Sequence, residues 1–233
     1  MRPVTLLLIP LLAACKGDDS GIVPEGPHAI SFDGGPSCAS ARAQSAGPPP
    51  EFTFEAWVKA DPGSDQRGHP FVVWDGVAAL WQSADGYVVM SDASGELVGA
   101  AYPADVMDQE AHHVAGTWDG AVMSVYVDGV RGAFSSAGRP GDSGEAAVYV
   151  GCWPARQQNH QGLMDEIRVS SSVRYTDDYE VPSEEFVEDP DTLHLWHVDE
   201  GYGDRSADAA GGPPLRLIEV SWVSGALADQ HGG

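Results

Sequence analysis

Positive charge is scarce in this 233-residue chain: 12 Lys and Arg stand against 35 Asp and Glu, a formal net charge of −23. A surface that holds a phosphate backbone needs clustered Lys and Arg. Here they are few and scattered along the sequence, so nucleic acid is not an expected partner. Long apolar runs are missing as well. The stretch from Val4 to Leu12 falls well short of the roughly 20 residues that a membrane-crossing helix needs, and no later segment is longer. No window repeats apolar residues at a convincing helical spacing; Ser183 to Phe186 has room for one turn at most. Cysteine is limited to three residues, Cys15, Cys38 and Cys152.

What is present begins with export. Arg2 precedes the apolar stretch and small residues follow it, the build of a secretory signal. Leu12-Ala13-Ala14-Cys15 resembles the bacterial lipobox, in which the cysteine is diacylated and becomes the mature N-terminus. The alternative is a plain signal peptide in which Cys15 is incidental. The lipobox reading gives a signal peptide over residues 1–14, then acylated Cys15 and a flexible polar tether over 15–27. Lys16 after the cysteine points to the outer membrane, at its periplasmic face or the cell surface. Export also implies an oxidising compartment, so Cys38 and Cys152 are expected to pair. That bond closes a span of 152 − 38 = 114 residues, for which chain entropy gives about 4–5 kcal/mol.

From His28 onward the sequence alternates. In FTFEAWVK, Phe52, Phe54, Ala56 and Val58 point one way and Thr53, Glu55, Trp57 and Lys59 the other, the period of a strand with one buried face. Similar runs recur at Phe71 to Trp74, Ala78 to Gln82, Tyr87 to Ser91, His113 to Trp118, Val122 to Val127, Ala147 to Gly151, Leu163 to Val169, Leu193 to Val198 and Leu215 to Val220. Asp-Gly occurs at 33–34, 75–76, 85–86, 119–120 and 128–129, and it suits type I′ hairpins, in which both central residues take positive φ. Short strands joined in this way, without helices, predict an all-β antiparallel two-sheet sandwich of jelly-roll type over residues 28–225. Residues 226–233 read as a disordered tail.

AISFDG (29–34), FTFEAWVK (52–59), HHVAGTWDG (112–120), VYVDGV (125–130), VYVG (148–151) and GLMDEIRVSSSVRY (162–175) together resemble a LamG-like jelly roll of the concanavalin A-like lectin/glucanase superfamily. LHLWHVDEGYGDRSADAAG (193–211) is similar to a segment that accompanies such domains in bacterial surface proteins. Two departures stand out. GPSCASARAQSAGPPP intervenes where relatives continue into a second strand of the first hairpin, and the loop after Asp208 lacks the family's asparagines.

The resemblance raises catalysis, because some members are glycoside hydrolases. Those place alternate carboxylates of one strand in a common cleft, about 5–5.5 Å apart in a retaining mechanism. No such run exists here. Asp165-Glu166 and Asp199-Glu200 are adjacent pairs, expected on opposite faces, so no catalysis is expected. Gly141-Asp142-Ser143-Gly144 matches the tetrapeptide around trypsin-like nucleophiles but lacks a partner element to supply the base. His112-His113 and His194 with His197 lack zinc-ligand spacing for a strand and read as structural. The resemblance further implies a Ca²⁺ near the rim, with Asp33 and Asp165 as ligands. In the competing reading Asp33 caps a turn and Asp165 satisfies buried amides.

Trp57, Trp118 and Trp196 sit inside strand patterns and belong to the core. Trp153 follows a strand end and precedes PARQQNHQG, so Trp153, Arg156, Gln157, Asn159 and His160 form a candidate glycan-binding loop; the competing reading is a polar loop pinned by Cys152. The expectation is a non-catalytic, lipid-anchored envelope module that recognises carbohydrate or a protein surface through rim loops. The alternatives are a structural or adhesive envelope protein and, third, a glycoside hydrolase.

Overall fold

A computed structural model describes residues 26–43, 47–62, 68–96, 98–134, 138–142 and 147–228. The signal segment, Cys15 and most of the tether lie outside the described residues. Two antiparallel sheets face each other. The first runs Val130–Arg131, Met123–Val127, His112–Trp118, Phe52–Ala60, Gln161–Ser170, His28–Asp33 and Ser221–Ser224. Thr192–Trp196 follows His28–Asp33 along the same edge of the long Gln161–Ser170 strand. The second sheet runs Ala133–Phe134, Val98–Tyr102, Val88–Asp92, Ala78–Gln82, His69–Trp74, Ala147–Val150, Cys38–Arg42, Leu215–Ile218 and Arg205–Ser206. A small ribbon, Cys152–Trp153 with Gln158–Asn159, encloses a 3-10 turn at Pro154–Arg156. The expected all-β sandwich is the fold that forms.

Alternation explains the core. Phe52, Phe54, Ala56 and Val58 project between the sheets, where they join Val72, Trp74, Leu80 and Met90 in one cluster; each large apolar side chain there contributes about 1.5–3 kcal/mol by leaving water. The segment that interrupts the first hairpin is also accounted for, since Cys38–Arg42 crosses into the second sheet. The expectation of one buried face fails at the central strand. Thr53, Glu55 and Trp57 point away from the core as predicted, yet each is almost wholly inaccessible. An irregular segment, residues 171–191, covers the outer face of the first sheet there, and Phe186 packs with Ala29, Trp57, Leu195 and Leu227. Ser183 to Phe186 is part of this strap and is not helical. Leu227 is fully buried, so the packed chain continues past the boundary at 225 read from the sequence.

The Asp-Gly turns are corrected in detail. All five glycines have positive φ, but among the aspartates only Asp128 does, with φ 49°. Asp128-Gly129 alone has the two positive angles of a I′ turn. A side chain on Gly129 would collide with the Tyr179 carbonyl of the strap.

Candidate functional site

Two parts of the surface carry chemistry, one on the outer face of each sheet. On the first sheet, the Gln161–Ser170 strand is interrupted by a bulge between Asp165 and Arg168, with Glu166 at φ 49°. Met164 and Ile167 both face the core, so the two residues between them are turned to the same outer side. Asp165 and Glu166 therefore do not point to opposite faces, as adjacency implied; both line one pocket of about 490 Å³ with Glu184, Glu185 and Asp199. The bulge sits where the neighbouring strand changes from His28–Asp33 to Thr192–Trp196. The sequence did carry a signal for it: the apolar positions Met164, Ile167 and Val169 slip by one residue against strict alternation.

The pocket's innermost carboxylates are already engaged. Asp165 accepts the Glu166 amide at 2.9 Å and the Leu227 amide at 2.8 Å. Glu166 accepts the Phe186 amide at 2.7 Å and bonds the His197 ring at 2.7 Å. Burial pushes the Asp165 carboxyl up to about 8, aided by the Glu166 and Asp199 charges and opposed by the two amides. Burial raises Glu166 as well, against the His197 and Phe186 hydrogen bonds, while Glu166 draws the His197 ring upward. These groups fasten the strap and the C-terminal segment to the sheet.

Beside the pocket lies an ion network that the sequence did not reveal. Glu55 is wholly buried and receives Arg168 Nε at 2.8 Å and the Tyr175 hydroxyl at 2.6 Å, with His113 Nε2 at 3.4 Å. Burial pushes this carboxyl up, but the His113 and Arg168 contacts outweigh it and hold it down at about 2. Tyr179 bonds His113 at 2.8 Å, and Tyr175 stacks on Tyr179 at 3.6 Å. His112 bonds Asp128 at 2.7 Å, and His194 bonds Asp208 at 2.6 Å. All four histidines thus hold carboxylates or strap residues.

On the second sheet, the Cys38–Cys152 disulfide, with Cα atoms 5.2 Å apart, folds the Trp153 loop over the outer face. Trp153 is only 1% exposed and packs with Val73, Ala79, Trp81 and Val89. It is a buried anchor and not the stacking surface proposed from sequence. His160 is displaced too: it is fully buried against Phe32, Phe71 and His69, and burial together with His69 depresses its ring to about 3. Arg156 and Gln157 are exposed and Asn159 half-buried. The Arg156 guanidinium lies 5.2 Å from the Trp153 ring and 5.6 Å from the Trp81 ring, and donates to the Ser94 carbonyl.

Asp33 and Asp165 do not share a metal shell. Asp33 pairs in register with Gln161, and Asp165 lies one residue beyond the Ile30–Met164 pair, beside Ala29. Four residues of strand, roughly 13 Å, separate them. Asp33 instead caps its own turn, accepting the Gly35 amide and the Ser37 hydroxyl, each at 2.9 Å; these bonds lower its carboxyl. Among the described residues no group of three or more His, Cys, Asp or Glu is arranged to hold a metal ion. Ser143 and Gly144 of the trypsin-like tetrapeptide lie outside the described residues.

The family follows from comparison with known proteins. A laminin G-type family model, described as the concanavalin A-like lectin/glucanases superfamily, matches residues 33–178. The chain belongs to this superfamily. A solved structure, that of a candidate carbohydrate-binding protein from Bacteroides ovatus, superposes with a TM-score of 0.64 at 18% identity, over 86% of this chain and 60% of the other. The present chain therefore spans somewhat under two thirds of that protein. A heptameric SAP-like pentraxin from Limulus polyphemus gives a TM-score of 0.49 at 15% identity, over 64% of this chain and 78% of the other. Domains LG4-5 of mouse laminin α1 give 0.47 at 14%, over 67% and 47%. No curated protein matches the sequence. The likeness to the Bacteroides ovatus protein bears on the fold alone, and one fold can host binding modules and hydrolases alike.

Proposed function

We propose that this chain is a non-catalytic binding module of the bacterial envelope, held to the membrane through lipid on Cys15, that recognises a glycan on the outer face of its second sheet. The observation that carries the reading is Arg156, exposed and laid over Trp81 and Trp153 beside the exposed Gln157. Fixed planar donors are what a sugar's hydroxyls need, and Arg156 with Gln157 offers them in water above indoles that are themselves buried. The indoles hold the guanidinium in place, so little side-chain freedom is lost on binding. The fold shared with a candidate carbohydrate-binding protein supports the reading. The acidic pocket does not favour hydrolysis, because Asp165 and Glu166 already spend their oxygens on backbone amides and His197.

The test is a glycan array probed with the exported chain, with Ca²⁺ and again with chelator. Defined hits that weaken in Arg156→Ala, with the thermal midpoint kept, support the reading. A blank array from folded protein rejects it and moves the search to a protein partner in the envelope. Hits that need Ca²⁺ would bring Asp33 and Asp165, as separate sites, under mutational test.

A further inference from the structure

The twelve basic residues are scattered in sequence, but three of them meet on the second sheet. Arg205 pairs directly with Arg216, Arg216 pairs with Ser40, and Arg42 lies two residues along from Ser40. Their core-facing neighbours fix the direction of these side chains: Leu215, Leu217, Ala39 and Ala41 point into the sandwich. The three arginines therefore share the outer face, and all three are exposed. Cross-strand partners sit about 4.5–5.5 Å apart at Cβ and diagonal ones about 7–8 Å. Among the described residues no ion pair involves Arg42 or Arg216, and Arg205 has only a loose contact with Asp204 at 3.8 Å.

Like charges placed directly opposite on paired strands destabilise a sheet. With 35 acidic residues in the chain, carboxylates are abundant, yet among the described residues the one ion pair that these three arginines make is that of Arg205 with Asp204. The lateral row continues from Arg216 through Ser40 and the half-buried Tyr149 to Val73, in the same apolar cluster as Trp81 and Trp153. From Arg205 to the Trp81 strand is five strand spacings, roughly 24 Å, which suits an oligosaccharide better than a single sugar.

We propose that this face binds an acidic polysaccharide, with Arg42, Arg205 and Arg216 taking its carboxylates and the Arg156 platform taking a sugar further along the same chain. The proposal rests on the glycan reading above and names the ligand's class. A guanidinium matches a carboxylate with two parallel N–H donors. The net charge of −23 repels polyanions at a distance, so an acidic glycan is held here by local pairing and not by general attraction.

The experiment is the same array, carrying neutral and uronate-containing glycans, probed with the wild-type chain and with Arg42→Gln/Arg205→Gln/Arg216→Gln. Each acidic hit is repeated with its carboxyl-reduced form, and the thermal midpoint of every variant is recorded. The expected result is acidic hits that weaken about tenfold or more on carboxyl reduction and in the triple variant, with the midpoint retained. Arg216→Gln alone is read beside it, and shows a smaller loss in the same direction. Hits confined to neutral glycans, or acidic hits indifferent to carboxyl reduction or to the arginines, overturn the inference while leaving the glycan reading standing. A blank array overturns both.

Discussion

The two outer faces of this sandwich are finished in opposite ways. On the first sheet a strap of irregular chain lies over the strands, and charged groups are sealed beneath it: Glu55 has no exposure at all, yet it meets Arg168, Tyr175 and His113. On the second sheet the disulfide-tethered Trp153 loop crosses the face, and arginines at both ends of the row stay in water. A buried ion pair gives little net stability but is costly to break, because removing one partner strands the other. An exposed arginine is cheap to remove and free to meet a ligand. The first face is thus built to hold its cover, while the second leaves its arginines in water.

Several substitutions break or sharpen this contrast. The largest effect belongs to the tether of the second face: Cys38→Ser should lower the unfolding free energy by about 4–5 kcal/mol, read by urea titration of the oxidised wild type beside the variant. Glu55→Ala on the first face should follow, at about 3–5 kcal/mol, and an unchanged urea midpoint would show that the network is not closed. Trp153→Ala should cost about 3 kcal/mol or more, as for a buried aromatic, so any loss of binding in that variant has to be read against lost folding.

A pH series sharpens the first face further. The Asp165 carboxyl is raised to about 8 in the fold, so the folded state holds a proton that the unfolded chain releases near 4, and stability falls as pH rises between those values. His197 is raised too; its contribution is complete below its ordinary pKa near 6.5 and is lost as pH rises through the folded value. Glu55 works in the opposite sense, since its folded pKa is depressed to about 2 from 4.5, and its contribution is lost only as pH falls below about 4.5. The urea midpoint should therefore be lower at pH 8.5 than at pH 6, and His197→Gln should flatten part of that slope. The smallest effect should be Arg156→Ala, whose cation–π contacts are worth about 0.5–1 kcal/mol at an exposed site; its midpoint should barely move while glycan binding falls.

Much of the fold was legible because strand alternation reports burial directly. Phe52, Phe54, Ala56 and Val58 named the core face of the central strand, and the pairing expected of Cys38 and Cys152 is the bond that forms. The bulge at Asp165-Glu166 was legible in principle from the phase slip between Met164 and Ile167. The sealing of Glu55 was not, because a polar residue on the outer side of a strand looks the same whether water or another segment covers it. For the same reason Trp153 and His160 read as loop residues open to ligand, when both are buried.

The sequence by itself determined the sheet-forming periodicity, the core face of the central strand and the acidic balance of the whole chain, since these depend on neighbours along the chain and on composition. Only the tertiary structure decided which outer face is covered, and which distant residues stand together. Arg42, Arg205 and Arg216 are scattered cations in the sequence; the register of three strands makes them one cluster, because pairing in a sheet joins residues by lateral position and not by their place in the chain.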